Sequence, residues 1–166
     1  MRPGGYPNAS RTYLSSNPAI VSLLNFWLVK SEPEAYSWNH FLEQGRAVWD
    51  GVRNYQARNN LMAMKAGDQV LFYHSVQGKE VVGLAQVSRE AYPDSTALSN
   101  PARDTTPWVV VELEPLLTLE KPVTLHQLKS EPLLQNLALL RQSRLSVMPI
   151  RPDEFECILA LSHESA

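Results

Sequence analysis

Phe26-Trp27-Leu28-Val29-Lys30-Ser31-Glu32-Pro33 is the stretch on which the fold turns. Four apolar residues followed by a lysine read as a buried strand. Pro33 stops its hydrogen-bond ladder and Ser31 caps the turn that follows. Upstream, residues 1–24 are rich in Pro, Gly, Ser and Asn and have no steady period, which is the composition of a flexible leader. The domain is therefore predicted to begin at Asn25 or Phe26 and to run to residue 163. The apolar run 19–29 is broken by Ser22 and Asn25 and is far shorter than the roughly 20 residues of a membrane span. Only Arg2 and Arg11 precede it and no small-x-small site follows, so it reads as a buried strand rather than a signal peptide.

Downstream the predicted elements are short and mixed. Ser37 caps a helix over 38–44 that Gly45 ends, and Asn54 or Asn59 caps a second through Leu61, Met62 and Met64, closed by Gly67. Strands are predicted over 69–75 and 80–88, joined by the turn Val76-Gln77-Gly78-Lys79, with Gly83 marking a bulge. A polar loop over 92–107 leads to a strand over 108–113 that extends past Pro115. Two short helices split by Pro132, a strand over 147–150 and a helix opened by Pro152 complete the chain. Long β-α-β alternation is missing. The pattern predicts an α+β domain: a small, mostly antiparallel, curled sheet or barrel with short peripheral helices.

Composition narrows the function. The chain has 166 residues, 44% hydrophobic and 19% charged, with a net charge of −2. That excludes a strongly basic coat but leaves room for a local basic face. The single cysteine, Cys157, permits neither a disulfide nor a cysteine-based zinc site, and its setting reads as an inert helix face. His40, His74, His126 and His163 are scattered, with no His-Glu-x-x-His pattern, so neither a metal nor a cofactor is expected. No membrane partner is expected either, and the oligomeric state is open. The leader lacks the Lys/Arg cluster of a nuclear signal, which points to a bacterial, cytoplasmic protein, or a nuclear one if the source is eukaryotic.

The densest chemistry lies over 46–60, Arg-Ala-Val-Trp-Asp-Gly-Val-Arg-Asn-Tyr-Gln-Ala-Arg-Asn-Asn, read as one tight turn. Two aromatics, several amides, a carboxylate and arginines suit a pocket for a flat, hydrogen-bonding ring. Trp49 or Tyr55 stacks on the ring, Asp50 accepts from an exocyclic amine, Asn54 donates and accepts, and Gly51 permits close backbone approach. Arg53 and Arg58 hold phosphate, or Arg53 stacks. The same residues also suit a capped helix with Trp49 in the core. Lys30, Ser31 and Glu32 at a strand end line a pocket or merely close a turn. Tyr73, His74 and Ser75 sit at another strand end, where a histidine with a structural hydrogen bond is a more common case than a general base. Arg141 and Arg144, flanking Gln142 and Ser143, suit phosphate contact or a helix C-terminus. No phosphate loop, dinucleotide fingerprint or nucleophile-base-orienter set is present, which argues against an enzyme.

Taken in order, residues 26–33, 49–59, 67–75, 92–94 and 144–149 resemble the EVE domain family over about residues 26–161. The resemblance implies a PUA-like fold, a small curled β-barrel with helices around it. It also implies a non-catalytic role: binding a modified base, such as methylated or hydroxymethylated cytosine, of DNA or RNA in a concave pocket. Carried onto this chain, the ligand-binding positions are Lys30, Ser31, Glu32, Trp49, Asp50, Arg53, Asn54, Tyr55, Tyr73, His74, Ser75 and Arg144, with Arg53, Arg58, Arg141 and Arg144 on the nucleic-acid backbone. The alternatives are an enzyme that modifies or cleaves a nucleotide, using Asp50, Glu32 and His74 as acid or base, and a module binding a small molecule or a protein.

Overall fold

The structure is a computed structural model that describes residues 24–164. All of the expected leader except Leu24 therefore lies outside the described residues. The elements in chain order are β1 (Phe26–Ser31), α1 (Trp38–Gln44), β2 (Ala47–Trp49), α2 (Tyr55–Ala63), β3 (Gln69–His74), β4 (Glu80–Pro93), β5 (Val109–Thr124), α3 (Leu125–Ser130), α4 (Ala138–Arg141), β6 (Val147–Ile150) and α5 (Pro152–Leu161). Short 3-10 turns occupy Ser95–Ala97 and Pro132–Leu134.

The six strands form one sheet in the order β2-β5-β4-β3-β1-β6. Only the β1–β3 pair is parallel, in the register Phe26↔Gln69 to Ser31↔His74. The other four pairings are antiparallel. The sheet is mixed, mostly antiparallel and open, not closed into a barrel. β4 and β5 are long, and their pairing shifts register at four places, which bends both strands. The resulting curl carries β2, at one edge, round towards the end of β1, so that both line one cavity.

Local signals account for the helices. In α1 the Ser37 hydroxyl accepts the His40 N–H at 3.0 Å, and Gly45 closes the helix at φ 73°. In α2 the Asn54 side chain accepts the Ala57 N–H at 2.9 Å. Pro152 sits in the first turn of α5, and Phe155 from that helix stacks on Phe26 of β1, ring centroids 4.2 Å apart. Trp38, Phe41 and Phe72 form an aromatic cluster beneath α1. Gly83 of β4 exists for this cluster: a Cβ there would lie 2.3 Å from Trp38 Cζ2. Without a side chain on β4, the indole lies flat on the strand and its Nε1 donates to Thr118 Oγ1 at 2.9 Å.

Buried Asp68 ties the start of the sheet together. Its carboxylate accepts from Trp27 Nε1 at 2.9 Å, the Asn25 N–H at 3.2 Å and the Lys65 N–H at 2.9 Å. Three donors satisfy a charge that burial would otherwise penalise.

Two expectations change. Residues 46–60 are not one tight turn: β2 occupies Ala47–Trp49, a turn follows with Gly51 at φ 78°, and Asn54 opens α2. Pairing with β5 (Ala47↔Leu113, Trp49↔Val111) makes this short segment a strand. The polar loop also starts later than predicted, because β4 runs on to Pro93 against Val109.

Candidate functional site

Where β1 ends and β2 comes round to meet it, the surface opens into a cavity of about 550 Å³, well inside the range of small-molecule sites. Lys30, Ser31 and Glu32 form one wall. Trp49, Asp50, Gly51, Val52 and Arg53 form the other, with Tyr36, Gln44 and Ser146 between them.

Trp49 is half-buried. Its ring meets Phe72 edge-on at 5.7 Å and Tyr36 edge-on at 6.1 Å, so it is fixed in the wall rather than loose in solvent. The Tyr36 hydroxyl donates to Gln44 Oε1 at 2.7 Å, and burial raises the pKa of the phenol. Ser31 Oγ donates to the Tyr36 carbonyl at 2.5 Å. Lys30 Nζ donates to the Ser143 carbonyl at 2.8 Å, and burial lowers the pKa of its ammonium.

The loop over 50–53 is held from below by Asp94, which is fully buried. One carboxylate oxygen, Oδ2, accepts the Gly51 N–H at 3.0 Å and Arg53 Nη1 at 2.9 Å. The other, Oδ1, accepts the Thr96 N–H at 2.9 Å and the Thr96 hydroxyl at 2.5 Å. Burial alone would raise the Asp94 pKa. The bonds from Thr96, Arg53 and the Gly51 backbone outweigh it and bring the pKa down to about 2. Arg53 is thus largely committed to Asp94, with further bonds to the Val52 carbonyl at 3.1 Å and to Thr96 Oγ1 at 3.3 Å.

A second, shallower cavity of about 730 Å³ shares Lys30, Glu32 and Ser146 with the first. Tyr73, Ser75, Lys79 and Arg144 also line it. The two differ in charge. Lys30 and Arg53 balance Glu32 and Asp50 in the first, whereas Lys30, Lys79 and Arg144 face Glu32 alone in the second. The first suits a neutral, polar ring and the second suits a phosphate.

Of the residues singled out in the sequence, Lys30, Ser31, Glu32, Trp49, Asp50 and Arg53 converge on the first cavity, and Tyr73, Ser75 and Arg144 on the second. Asn54, Tyr55 and His74 line neither. The Asn54 side-chain oxygen, Oδ1, caps α2. His74 Nε2 accepts the Trp38 N–H at 3.0 Å, which fixes the proton on Nδ1, and burial lowers the pKa of the ring. Arg58 donates to the Pro107 carbonyl at 3.1 Å, and Arg141 to the Gln135 carbonyl at 3.0 Å. Cys157 lies half-buried on α5, its thiol pKa raised by burial. Among the described residues, no cluster of three or more His, Cys, Asp or Glu is placed to hold a metal, and no helix is long and apolar enough to cross a membrane.

Asp94, Tyr36, Lys79 and Ser146 were not anticipated as site residues. An Asp before Ser-Thr signals a local turn, but nothing in the sequence ties it to an arginine 41 positions away.

The EVE domain family model matches residues 25–161. The chain belongs to the EVE domain family. Mouse thymocyte nuclear protein 1 is 37% identical over a gapped alignment of 168 positions that covers 84% of this chain and 74% of the mouse protein. A solved Leishmania major protein is 43% identical with a TM-score of 0.79, covering 84% of this chain and 94% of that one. A crystal structure of the human THYN1 protein in complex with 5-methylcytosine-containing DNA is 33% identical with a TM-score of 0.78, covering 86% of this chain and 99% of that one. An ASCH structure from Zymomonas mobilis, 15% identical with a TM-score of 0.50, shares the PUA-like fold alone.

Proposed function

We propose that this EVE domain is a non-catalytic reader of DNA that holds a modified cytosine in the cavity between β1 and β2. The observation that carries this reading is the charge-balanced cavity itself. It has an immobilised indole in its wall, an exposed carboxylate at its rim and a buried carboxylate shaping its loop. The human relative solved with 5-methylcytosine DNA supports the choice of ligand.

Chemistry distributes the roles. Trp49 and Tyr36 supply the aromatic walls against which a ring packs. Asp50 accepts from the exocyclic amine of cytosine, as acidic side chains do. Ser31 and the Lys30 ammonium face the remaining edge. Lys79 and Arg144, in the adjoining cavity, attract the phosphate beside the extruded nucleotide. Extrusion costs a few kcal/mol of unstacking, which contacts on both sides of the base offset. The enzyme alternative loses ground at His74: Glu32 and Asp50 both line the cavity, but His74 lies outside it with its acceptor nitrogen occupied.

Asp50→Asn tests the reading. Asp50 is exposed, so the substitution leaves the fold alone. In a calorimetric titration with 5-methyl-2′-deoxycytidine it is expected to weaken binding about tenfold, the cost of one charge-assisted hydrogen bond. Unchanged affinity would remove Asp50 from base recognition.

A further inference from the structure

Tyr55, the first residue of α2, lies outside both cavities, yet it is the more exposed of two aromatic rings locked together on the surface. It is 56% exposed, a large value for so apolar a side chain. Its ring lies 4.7 Å from that of Trp108, tilted by 35°. The Arg58 guanidinium sits 5.1 Å from the Tyr55 ring and is itself pinned, by Nη1 to the Pro107 carbonyl at 3.1 Å and by Nε to Asn59 Oδ1 at 3.0 Å. Arg53, on the rim of the first cavity, lies 5.8 Å from the Trp108 ring. The rings and the cavity are thus continuous through one arginine.

We propose that the Tyr55–Trp108 pair is a stacking ledge that receives a base neighbouring the one held in the cavity, so that the domain engages an unpaired strand at two adjacent bases. This rests on the cavity reading above. The chemistry is that of single-strand binders: a rigid aromatic face accepts any base, and flanking arginines attract the backbone and stack on it. The rings are already packed against each other, so little side-chain freedom is lost on binding. A fully paired duplex with one base extruded keeps its neighbours stacked and leaves the ledge empty. Single-stranded DNA is therefore the preferred form.

The test compares wild type, Tyr55→Ala and Tyr55→Phe against three probes: 5-methyl-2′-deoxycytidine, a single-stranded nonanucleotide with a central 5-methylcytosine, and the corresponding duplex. Loss of one base–aromatic stack, about 1 to 3 kcal/mol, corresponds to roughly 5- to 140-fold in affinity. Tyr55→Ala is expected to lose about tenfold on the single strand and less than twofold on the nucleoside, with Tyr55→Phe close to wild type on both. Wild type is expected to bind the single strand more tightly than the duplex. Equal loss on nucleoside and single strand, no loss on the single strand, or tighter binding of the duplex would each overturn the ledge. If wild type fails to bind the nucleoside but Tyr55→Ala still weakens the single strand, the ledge stands and the cavity reading fails.

Discussion

Replacing Asp94 by Asn removes the charge that holds the cavity's loop, and the structure gives the size of the effect. The Asp94 pKa is about 2 in the folded protein, against an ordinary 3.8. A difference of nearly two units corresponds to roughly 2 kcal/mol of stability at neutral pH. Asn adds a steric and polar mismatch, because both carboxylate oxygens receive only donors: Gly51 and Arg53 on one side, Thr96 on the other. Whichever way the amide turns, its NH₂ faces an N–H or a guanidinium. The total loss is expected to be about 2 to 4 kcal/mol. The sign with pH follows from a depressed folded pKa. The contribution is complete above the unfolded pKa and disappears as pH falls from about 4 towards 2. Urea denaturation of wild type and Asp94→Asn at pH 7 and again near pH 3 reads both quantities as the difference between the two proteins, which cancels the other carboxylates. The difference should be large at pH 7 and smaller at pH 3. Equal stability at pH 7, or a difference independent of pH, would refute the claim that a charged Asp94 organises the loop.

Gly83→Ala drives a methyl group into the Trp38 ring and is expected to cost about 1 to 3 kcal/mol in urea denaturation with a shift in tryptophan emission; an unchanged midpoint would mean that α1 moves aside freely. Asn54→Ala removes the α2 cap and is expected to cost about 1 kcal/mol while nucleoside affinity stays within twofold. Loss of nucleoside binding at unchanged stability would return Asn54 to the base-reading set.

The parts of the fold that were legible in the sequence are those specified by neighbouring residues. Ser37 and Gly45 bracket α1, Asn54 caps α2, Pro152 opens α5, and the apolar runs of β1, β3 and β6 mark buried strands. What was not legible depends on partners distant in the chain. Ala47-Val48-Trp49 becomes a strand only because β5 lies beside it. The sheet stays open where a barrel was one of two readings, because closure depends on the accumulated bend of β4 and β5, which no single residue announces. The site divides in the same way. The strand-end residues Lys30 to Glu32 and the Trp49–Arg53 turn could be read as chemically dense, and the curl brings them together. The Asp94 clamp, the His74–Trp38 bond and the displacement of Tyr55 to the outer surface all arise from contacts 36 or more positions apart or from ring packing between α2 and the strand-leading Trp108.

The central claim is that the cavity reads the modification on the base. It is tested most directly by the thermal stability of the intact domain with matched single-stranded DNA and RNA that differ only in one cytosine methyl group. A ligand at 100 times its dissociation constant adds about 2.7 kcal/mol, which for a chain of this size is a rise of several degrees. The account predicts that rise with methylated DNA and much less with its plain counterpart. An equal rise with both, or none with either, would contradict a modified-base reader; a rise confined to methylated RNA would keep the reader and overturn the assignment to DNA.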